Sequence, residues 1–432
     1  MFIVYFFSLF IHCNNSSSRS DPSRINHSQI LRFQSISKPL HCLTIRTMAN
    51  FIINLAGVIA SVAVPFSELA KEYKGATTSF SIGIGGSTTT DPNTGGSIPH
   101  VAFWDINGNR IGQYKGNANG HINQNTEWDM SIENSQTEPQ GTAMQPEYIS
   151  VVMEENDAIC ISYIYATGNG AQWAWYGDIG YTCGADWYPS SFKVGDGTYT
   201  PKCVWIDHDY SNGLRFQGLS LHMPDFASTT DRVEEYNNDQ DTLCKSSPRM
   251  KFWTSIVPDA IVPFFNPPLV YTDGGADSNP SRVIDKQKRS SIASSRPFKR
   301  DNGNFKPGHL VISNIQTHSA KEVCESETSI GPDFVSTVEG IFCDTEVKEW
   351  WYLCSGSITT GCFNLHTQSM VGNANATGHD AIGVHHNATG VINVHHHNAT
   401  SVHHNSVHSR EVDGSTGRVV PAKSYKTSET WD

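Results

Sequence analysis

Short runs that alternate apolar and polar residues, each ending at a turn, are the sequence feature that most constrains this fold. The run at 101–106 leads into Asn107-Gly108, and a second run follows at 109–114. Asn-Gly between two such runs predicts a tight hairpin, because both turn positions need a positive φ. Further runs predict strands at 79–84, 147–153, 158–166, 171–176, 203–206 and 214–221. We therefore predict a mainly β fold, an antiparallel β-sandwich or jelly-roll-like domain over residues 76–271.

The composition favours strands and turns over long helices. Of the 432 residues, 38% are hydrophobic and 17% are charged, and both shares are low for a soluble globular protein. Gly, Asn, Ser and Thr take up the difference, and these residues favour turns. The formal net charge of -12 argues against a nucleic-acid partner, which would call for a basic patch.

Eight of the ten cysteines lie after residue 150, and we predict that they form disulfides. Cys13 and Cys42 fall in an N-terminal extension, residues 1–47, which we expect to be disordered. An even number without a Cys-x-x-Cys pair is typical of disulfides, with buried free thiols as the alternative. Because disulfides persist in oxidising compartments, the cysteines also favour secretion. The eight candidates, whose connectivity stays open, are Cys160, Cys183, Cys203, Cys244, Cys324, Cys343, Cys354 and Cys362.

An apolar run after Met48 predicts a signal peptide. Residues 51–64 are apolar, and residues 61–63 (Ser-Val-Ala) resemble a small-residue cleavage site. The run is too short to span a bilayer comfortably, so we predict no transmembrane segment. We interpret residues 48–75 as signal-peptide-like, or alternatively as a short helix packed on the domain.

Two segments of different character follow the β-rich domain. Residues 272–308 have almost no apolar periodicity and predict a linker or exposed loop. The dibasic pairs Lys288-Arg289 and Lys299-Arg300 are candidate cleavage sites for a processing protease. Residues 309–366 hold four cysteines, and a segment this small needs covalent staples or a neighbouring domain. We expect disulfides within it and packing against the β-rich domain.

The C-terminal region, residues 367–432, contains a degenerate His/Asn repeat that predicts disorder. Neutral imidazole binds Zn²⁺, Cu²⁺ or Ni²⁺, so adventitious metal binding is expected, while repeat expansion explains the histidines without a role for metal. No other cofactor is predicted. If the chain is secreted, the sequons of the repeat are expected to be glycosylated. The candidate metal ligands are His385, His386, His395, His396, His397, His403 and His404, and the candidate glycosylation sites are Asn375, Asn387 and Asn398.

The densest aromatic stretch, residues 173–188, is the candidate contact surface. Exposed aromatic faces stack on sugar rings, while neighbouring carboxylates accept hydrogen bonds from sugar hydroxyls. The alternative is that these aromatic side chains pack the core and flank a disulfide through Cys183. The candidate ligand-binding residues are Trp175, Tyr176, Asp178, Asp186, Trp187 and Tyr188.

A glycoside hydrolase would need two carboxylates across a cleft. The first to consider are Asp178, Asp186 and the pair in Asp207-His208-Asp209, although the last segment also reads plainly as a solvated turn. The chain contains no G-x-S-x-G, H-E-x-x-H, Walker or dinucleotide-binding motif. We therefore assign no catalytic residue.

Five stretches of the chain carry a resemblance to a known family. They are 177–190 (GDIGYTCGADWYPS), 203–218 (CVWIDHDYSNGLRFQG), 251–268 (KFWTSIVPDAIVPFFNPP), 324–335 (CESETSIGPDFV) and 420–432 (VPAKSYKTSETWD). Together they resemble an uncharacterised family of secreted, cysteine-containing proteins of filamentous fungi. That family has no established activity, so the resemblance implies location and architecture but no catalytic residue. The histidine repeat departs from the family pattern as an insertion.

Three functional hypotheses remain open. The first is a secreted, non-enzymatic, β-rich protein, lectin-like, that binds carbohydrate or a cell-wall polymer through residues 173–188. The second is an extracellular hydrolase acting on polysaccharide. The third is a processed secreted effector or interaction protein, cut near Arg289 or Arg300. The oligomeric state cannot be read from the sequence.

Overall fold

A computed structural model describes most of the chain after residue 46. It covers residues 47–53, 59–65, 77–86, 94–142, 144–168, 171–194, 199–227, 229–279, 307–372, 411–412 and 419–432. The N-terminal extension up to residue 46, both dibasic pairs, the three sequons of the repeat and its histidines lie outside these ranges. The predictions made for them stay predictions.

Strands form most of the regular structure. Those before residue 300 are β1 (Thr47–Ile53), β2 (Ile59–Pro65), β3 (Thr77–Ile84), β4 (Gly96–Ile98), β5 (His100–Trp104), β6 (Arg110–Tyr114), β7 (Asn117–Ile122), β8 (Glu127–Glu133), β9 (Tyr148–Val152), β10 (Ile159–Gly168), β11 (Ala171–Tyr176), β12 (Trp187–Tyr188), β13 (Cys203–Ile206), β14 (Gly218–His222) and β15 (Met250–Trp253). Those after it are β16 (His309–Ser313), β17 (Asp333–Ser336), β18 (Ile341–Asp344), β19 (Glu349–Tyr352), β20 (Cys362–Asn364), β21 (Ser369–Val371), β22 (Glu411–Val412), β23 (Val419–Val420) and β24 (Thr427–Trp431). The helices are α1 (Gly177–Thr182), α2 (Thr230–Asn238), α3 (Asp241–Cys244) and α4 (Ala320–Glu325), with 3₁₀ turns at Ser211–Gly213 and Met223–Phe226.

The first large sheet is antiparallel and has β10 near its centre. Its order is β12-β13-β10-β3-β8, and β11 also pairs with β10. Successive residues of a strand point to opposite faces, so each strand presents one set of side chains to the core. Phe80 and Ile82 of β3 and Ile164 of β10 are fully buried in this way. A register shift between Ile161 and Tyr163 changes which residues of β10 face the core.

The second sheet, β15-β14-β9-β5-β6, is also antiparallel and contains the predicted hairpin. The connection runs from β5 to β6 through Asn107-Gly108, but only Gly108 takes a positive φ, of 78°. The turn is longer than the predicted two-residue type because Asp105 closes it. The Asp105 carboxylate accepts the backbone N–H groups of Asn107 at 2.9 Å and Asn109 at 2.8 Å. The hairpin prediction was right and the turn type was wrong.

The apolar faces of these two sheets pack against each other. Phe80 of the first sheet meets Phe103 of the second edge to face, with ring centroids 5.5 Å apart. Both belong to one hydrophobic cluster with Ile149 and Leu219. Burial of apolar surface is the main favourable contribution to folding, so this shared core holds the sandwich together. The predicted mainly β, antiparallel sandwich is confirmed.

A third sheet, β19-β18-β17-β16-β24, follows in sequence and shares the same core. Strand β16 pairs in parallel with β17 and β24, and the remaining pairs are antiparallel. Phe334 of β17 and Trp431 of β24 lie in the cluster that fills the sandwich. Trp205 of β13 donates its indole N–H to the Ile330 carbonyl at 2.9 Å. The cysteine-rich segment therefore packs on the sandwich.

The end of the chain corrects the prediction that residues 367–432 are disordered throughout. Residues 427–431 form β24, and Trp431 is only 2% exposed. Lys423 places its Nζ 2.7 Å from Asp344 Oδ1 and 3.2 Å from Asp333 Oδ2. The prediction was wrong for the last residues because it treated them like the His/Asn repeat, which has little apolar sequence. They instead include a buried tryptophan and a lysine in an ion pair. These contacts attach the C-terminal strand to the third sheet.

The segment 48–75 contains strands where a short helix was the alternative expectation. Strands β1 and β2 pair antiparallel, with Thr47 opposite Pro65 and Ile53 opposite Ile59. β-branched residues recur in both strands, Thr and Ile in β1 and Ile and Val in β2, and such residues favour strands over helices because their χ1 angles are restricted. The signal-peptide interpretation stays a prediction.

All eight predicted disulfide cysteines are paired, which confirms the prediction and supplies the connectivity. Cys160–Cys203 joins β10 to β13, and Cys324–Cys343 joins α4 to β18. The four pairs are Cys160–Cys203, Cys183–Cys244, Cys324–Cys343 and Cys354–Cys362. Two pairs lie within the sandwich and two within the cysteine-rich segment, so each part has its own covalent links.

A buried network of charges fixes the segment that follows β15. The Arg249 guanidinium is fully buried and contacts Asp225, and its Nη2 lies 2.6 Å from Asp277 Oδ2. Tyr271 donates to Asp225 at 2.6 Å. Burial alone would raise the pKa of Asp225, but the charges of Arg249 and His222 outweigh burial and lower it. Asp225 therefore stays ionised and ties the segment to the sheet.

Replacement of Arg249 by Met is expected to destabilise the protein strongly. The change leaves Asp225 and Asp277 buried without their cation, and such a loss costs about 3–5 kcal/mol. The matched control is Lys245→Met, which breaks the exposed pair with Asp241 and should cost at most about 1 kcal/mol. Guanidinium unfolding of both variants measures the difference. Equal, small losses would contradict the proposed role of the network.

A disulfide that closes a long loop and one that closes a short loop should differ in their contribution to stability. Cys160 and Cys203 are 43 residues apart, and Cys354 and Cys362 are 8 apart. Loop-closure entropy predicts a loss of about 4 kcal/mol for a Cys160→Ala/Cys203→Ala variant and about 2.5 kcal/mol for Cys354→Ala/Cys362→Ala. Denaturant unfolding under non-reducing conditions tests this order, and the reverse order would show that packing outweighs loop entropy.

Candidate functional site

The aromatic side chains of the predicted contact segment lie in the core. None of the four candidates is more than 1% exposed, these being Trp175, Tyr176, Trp187 and Tyr188. Their polar atoms have internal partners as well. Trp187 donates its indole N–H to Ser326 Oγ at 2.9 Å, and Tyr188 donates its hydroxyl to a backbone carbonyl at 2.8 Å. A sugar ring needs an accessible aromatic face, so the core-packing alternative describes these residues.

The two acidic candidates of the same segment are buried ion-pair partners. Asp178 accepts the Tyr199 hydroxyl at 2.6 Å and lies 3.7 Å from Lys202 Nζ. Asp186 accepts a hydrogen bond from Arg215 at 2.7 Å. Burial raises the pKa of both carboxyls, and the charges of Lys202 and Arg215 oppose that rise. Both residues stabilise the fold and are not available to a ligand.

Asp207 and Asp209 share one turn. Both accept the backbone N–H of Ser211, at 2.8 and 2.9 Å. Burial raises the pKa of Asp207 to about 6. Two carboxylates that share a single backbone donor do not face each other across a cleft, so the turn interpretation accounts for them. The four carboxylates considered for hydrolysis are not brought together at one open site.

The outward face of the first sheet carries a polar surface that sequence analysis missed. Glu127, Asp129 and Ser131 alternate along β8 and are exposed. Across the strand pair, Gly83 lies opposite Glu127, Ser81 opposite Asp129, and Ser79 opposite Ser131. Directly paired residues share a face of a sheet, so these three cross-strand pairs lie on the same side of the sheet. We call the surface formed by Ser79, Glu127, Asp129 and Ser131 the polar face; Ser81 and Gly83 are in register with it but buried.

The carboxyl groups of Glu127 and Asp129 form a hydrogen-bonded pair at the centre of the polar face. Ser81 donates its hydroxyl to Asp129 Oδ1 at 2.5 Å, and Tyr163 hydrogen-bonds to Glu127. The pKa of Glu127 is raised to about 7, first by loss of hydration and then by the charge of Asp129, while Tyr163 opposes the rise. Near neutral pH, Glu127 therefore exchanges between its protonated and ionised forms.

Gly83 gives Tyr163 the space to reach the carboxyl pair. A Cβ atom at position 83 would lie 2.0 Å from the Tyr163 ring, closer than any real contact. On its other side the Tyr163 ring approaches Phe192, with centroids 5.6 Å apart. Burial raises the pKa of Tyr163, so its hydroxyl stays protonated and can donate. The tyrosine is only 1% exposed, so it supports the carboxyl pair from within the protein and offers no face to a ligand.

The polar face suits a ligand with many hydroxyl groups. A sugar hydroxyl both donates and accepts, and a carboxyl pair near its pKa offers both roles to a ligand. The hydroxyls of the half-buried Ser79 and the exposed Ser131 add further donors and acceptors. Ligand sites commonly rely on a small number of precisely placed polar groups, which the two paired strands supply here.

A signal for this surface was present in the sequence. Residues 127–133 (EWDMSIE) alternate polar and apolar residues with period two, which is the pattern of a half-buried strand. Met130 and Ile132 are buried, and the residues that alternate with them along the strand are exposed. The alternation identifies the strand, whereas its pairing with β3 and the contact with the buried Tyr163 depend on strand register.

No protein-family model, curated protein or solved structure matches this chain. The resemblance to secreted fungal proteins therefore stays a prediction. Within the described residues, His, Cys, Asp and Glu side chains do not gather in threes in a way that could hold a metal ion. In the same ranges, no helix has both the length and the apolarity needed to cross a membrane.

Glu127→Gln is expected to stabilise the protein above pH 7. The carboxyl has a pKa of about 7 in the folded state against an ordinary value of 4.5, so its ionisation destabilises the fold as pH rises through 7. Glutamine cannot ionise and removes that effect. Thermal unfolding of both proteins at pH 5 and pH 8 should show a larger gain at pH 8. An equal effect at both values would contradict the raised pKa.

Proposed function

We propose that the protein is an extracellular, non-enzymatic, glycan-binding protein with the polar face as its contact surface. The observation that carries this proposal is the exposed carboxyl pair of Glu127 and Asp129, which the buried hydroxyls of Ser81 and Tyr163 hold in place by hydrogen bonds. Hydrogen-bonding groups fixed on strands lose little conformational freedom when they bind a ligand. The proposal keeps the lectin-like hypothesis and moves its contact surface away from residues 173–188.

The disulfides support the extracellular part of the proposal. Four disulfides join eight cysteines in the described chain. Such bonds persist in oxidising compartments and are rare where thiols are kept reduced. The apolar run after Met48 is proposed to direct the chain there.

The spacing of the carboxyl groups favours binding over hydrolysis. Glycoside hydrolases place their two carboxyl groups about 5–9.5 Å apart, so that a sugar or a water fits between them. Glu127 and Asp129 lie two residues apart on the same side of a single strand, so they do not face each other across a cleft. Binding is therefore the function that we propose.

A Glu127→Gln/Asp129→Asn variant is expected to bind glycans at least about tenfold more weakly. Hydrogen bonds to charged groups contribute about 1.5–3 kcal/mol each, and 1.4 kcal/mol corresponds to a factor of ten. The assay is a glycan array with pull-down on purified cell-wall polymers. The matched control is Glu133→Gln, which alters an exposed carboxylate of the same strand beyond the polar face.

Two outcomes would overturn this proposal. One is a wild-type protein that binds no glycan or cell-wall polymer in either assay. The other is a loss of binding in the Glu133→Gln control as large as in the double variant, since binding would then follow charge alone. Circular dichroism and thermal unfolding verify that each variant is folded.

A further inference from the structure

A second aromatic surface lies on the edge strand of the third sheet. Trp350 and Tyr352 are two residues apart on β19, and Tyr352 is 51% exposed. Their ring centroids are 5.3 Å apart and their planes are inclined at 81°. We call this pair the aromatic corner. It lies outside the segment that the sequence predicted and outside the polar face.

Strand register explains why these two rings lie on the same face of the third sheet. Trp350 lies opposite Cys343 and Tyr352 opposite Ile341, so both rings are on the face of the sheet that α4 covers. Trp351, which points to the other face, is only 2% exposed and belongs to a separate core cluster. The strand thus buries its middle aromatic residue and presents the two that flank it.

Helix α4 determines how much of the pair stays accessible. The Cys324–Cys343 disulfide fixes the helix beside Trp350, which is partly buried. Lys321 of the helix lies over the Trp350 ring, with Nζ 5.6 Å from the centroid, and 3.7 Å from Glu325. Tyr352 remains half exposed. The aromatic corner therefore consists of two rings, and Lys321 lies beside the Trp350 ring in an ion pair with Glu325.

The geometry points to a binding site for a terminal or short soluble sugar chain at the aromatic corner, and this inference rests on the proposed glycan-binding function. Aromatic faces stack on the apolar C–H face of a pyranose, and Lys321 with Glu325 can hydrogen-bond to its hydroxyls. An isolated exposed aromatic residue is ordinary on a protein surface. Two adjoining rings held in place by a disulfide-anchored helix form a defined shape.

The near-perpendicular rings restrict the class of glycan. A crystalline polymer presents a flat surface, which a row of coplanar rings would match. Rings inclined at 81° form a corner, which fits one sugar ring on Tyr352 with Trp350 closing the side. The proposed ligand is therefore a chain end or a short oligosaccharide, not the surface of a crystalline polymer.

The test compares Tyr352→Ala with Tyr352→Phe in the full chain. The soluble probes are three tetrasaccharides, one each of β-1,3-linked glucose, of mannose and of N-acetylglucosamine, and their binding is titrated by tryptophan fluorescence. The insoluble probes are powdered cellulose and chitin, and their binding is measured by pull-down. Tyr352→Ala is expected to bind the preferred tetrasaccharide at least about tenfold more weakly, because it removes the ring on which the sugar would stack. Tyr352→Phe keeps the ring and should stay within about threefold of wild type.

The outcomes separate this inference from the proposed function. If Tyr352→Ala binds like wild type while Glu127→Gln/Asp129→Asn loses binding, the aromatic corner is excluded and the proposed function stands. Binding to powdered cellulose or chitin without any tetrasaccharide binding overturns the ligand class. If the wild type binds none of these probes, both the corner and the glycan-binding function are rejected.

Discussion

The register shift at Ser162 in β10 is the constraint on which the polar face depends. Before the shift, Ile161 lies opposite Ile84, and both are buried in the core. One extra residue reverses the alternation, so that Ile164 points inward and Tyr163 points to the opposite face, across from Gly83. A slip of one residue moves every side chain of a strand to the other face. Without the shift, Tyr163 would enter the core and could not reach Glu127.

The third sheet depends in a similar way on contacts made by the end of the chain. Strand β24 pairs with β16, more than a hundred residues earlier, and Trp431 fills the shared core. Lys423 neutralises Asp333 and Asp344, which are both buried. Burial and the charge of Asp333 raise the pKa of Asp344 to about 6, while Lys423 opposes the rise. The C-terminal strand thus supplies both an apolar and an ionic contact.

Local patterns in the sequence predicted the strands and the disulfides better than the site. Alternation and the Asn107-Gly108 turn identified the sandwich, and the even cysteine count identified the bonded residues. Whether an aromatic side chain points into the core is decided by partners far along the chain. Trp187 contacts Ser326, 139 residues later, and local sequence alone therefore leaves it as a candidate ligand contact. The shift in β10 could not be located from the sequence, since residues 158–166 are apolar or aromatic at every position except Ser162.

Electrostatics limit which glycans the polar face could accept under the proposed function. The chain has a formal net charge of -12, and the face itself presents two carboxyl groups. An anionic polymer such as a uronic-acid chain would meet like charge at close range, which costs binding energy. Neutral sugars avoid this repulsion. Amino sugars with a free, protonated amine would be attracted to the carboxylates. Protonation of Glu127 below about pH 7 lowers the local charge, so discrimination against anionic chains would be weaker in acid than at neutral pH.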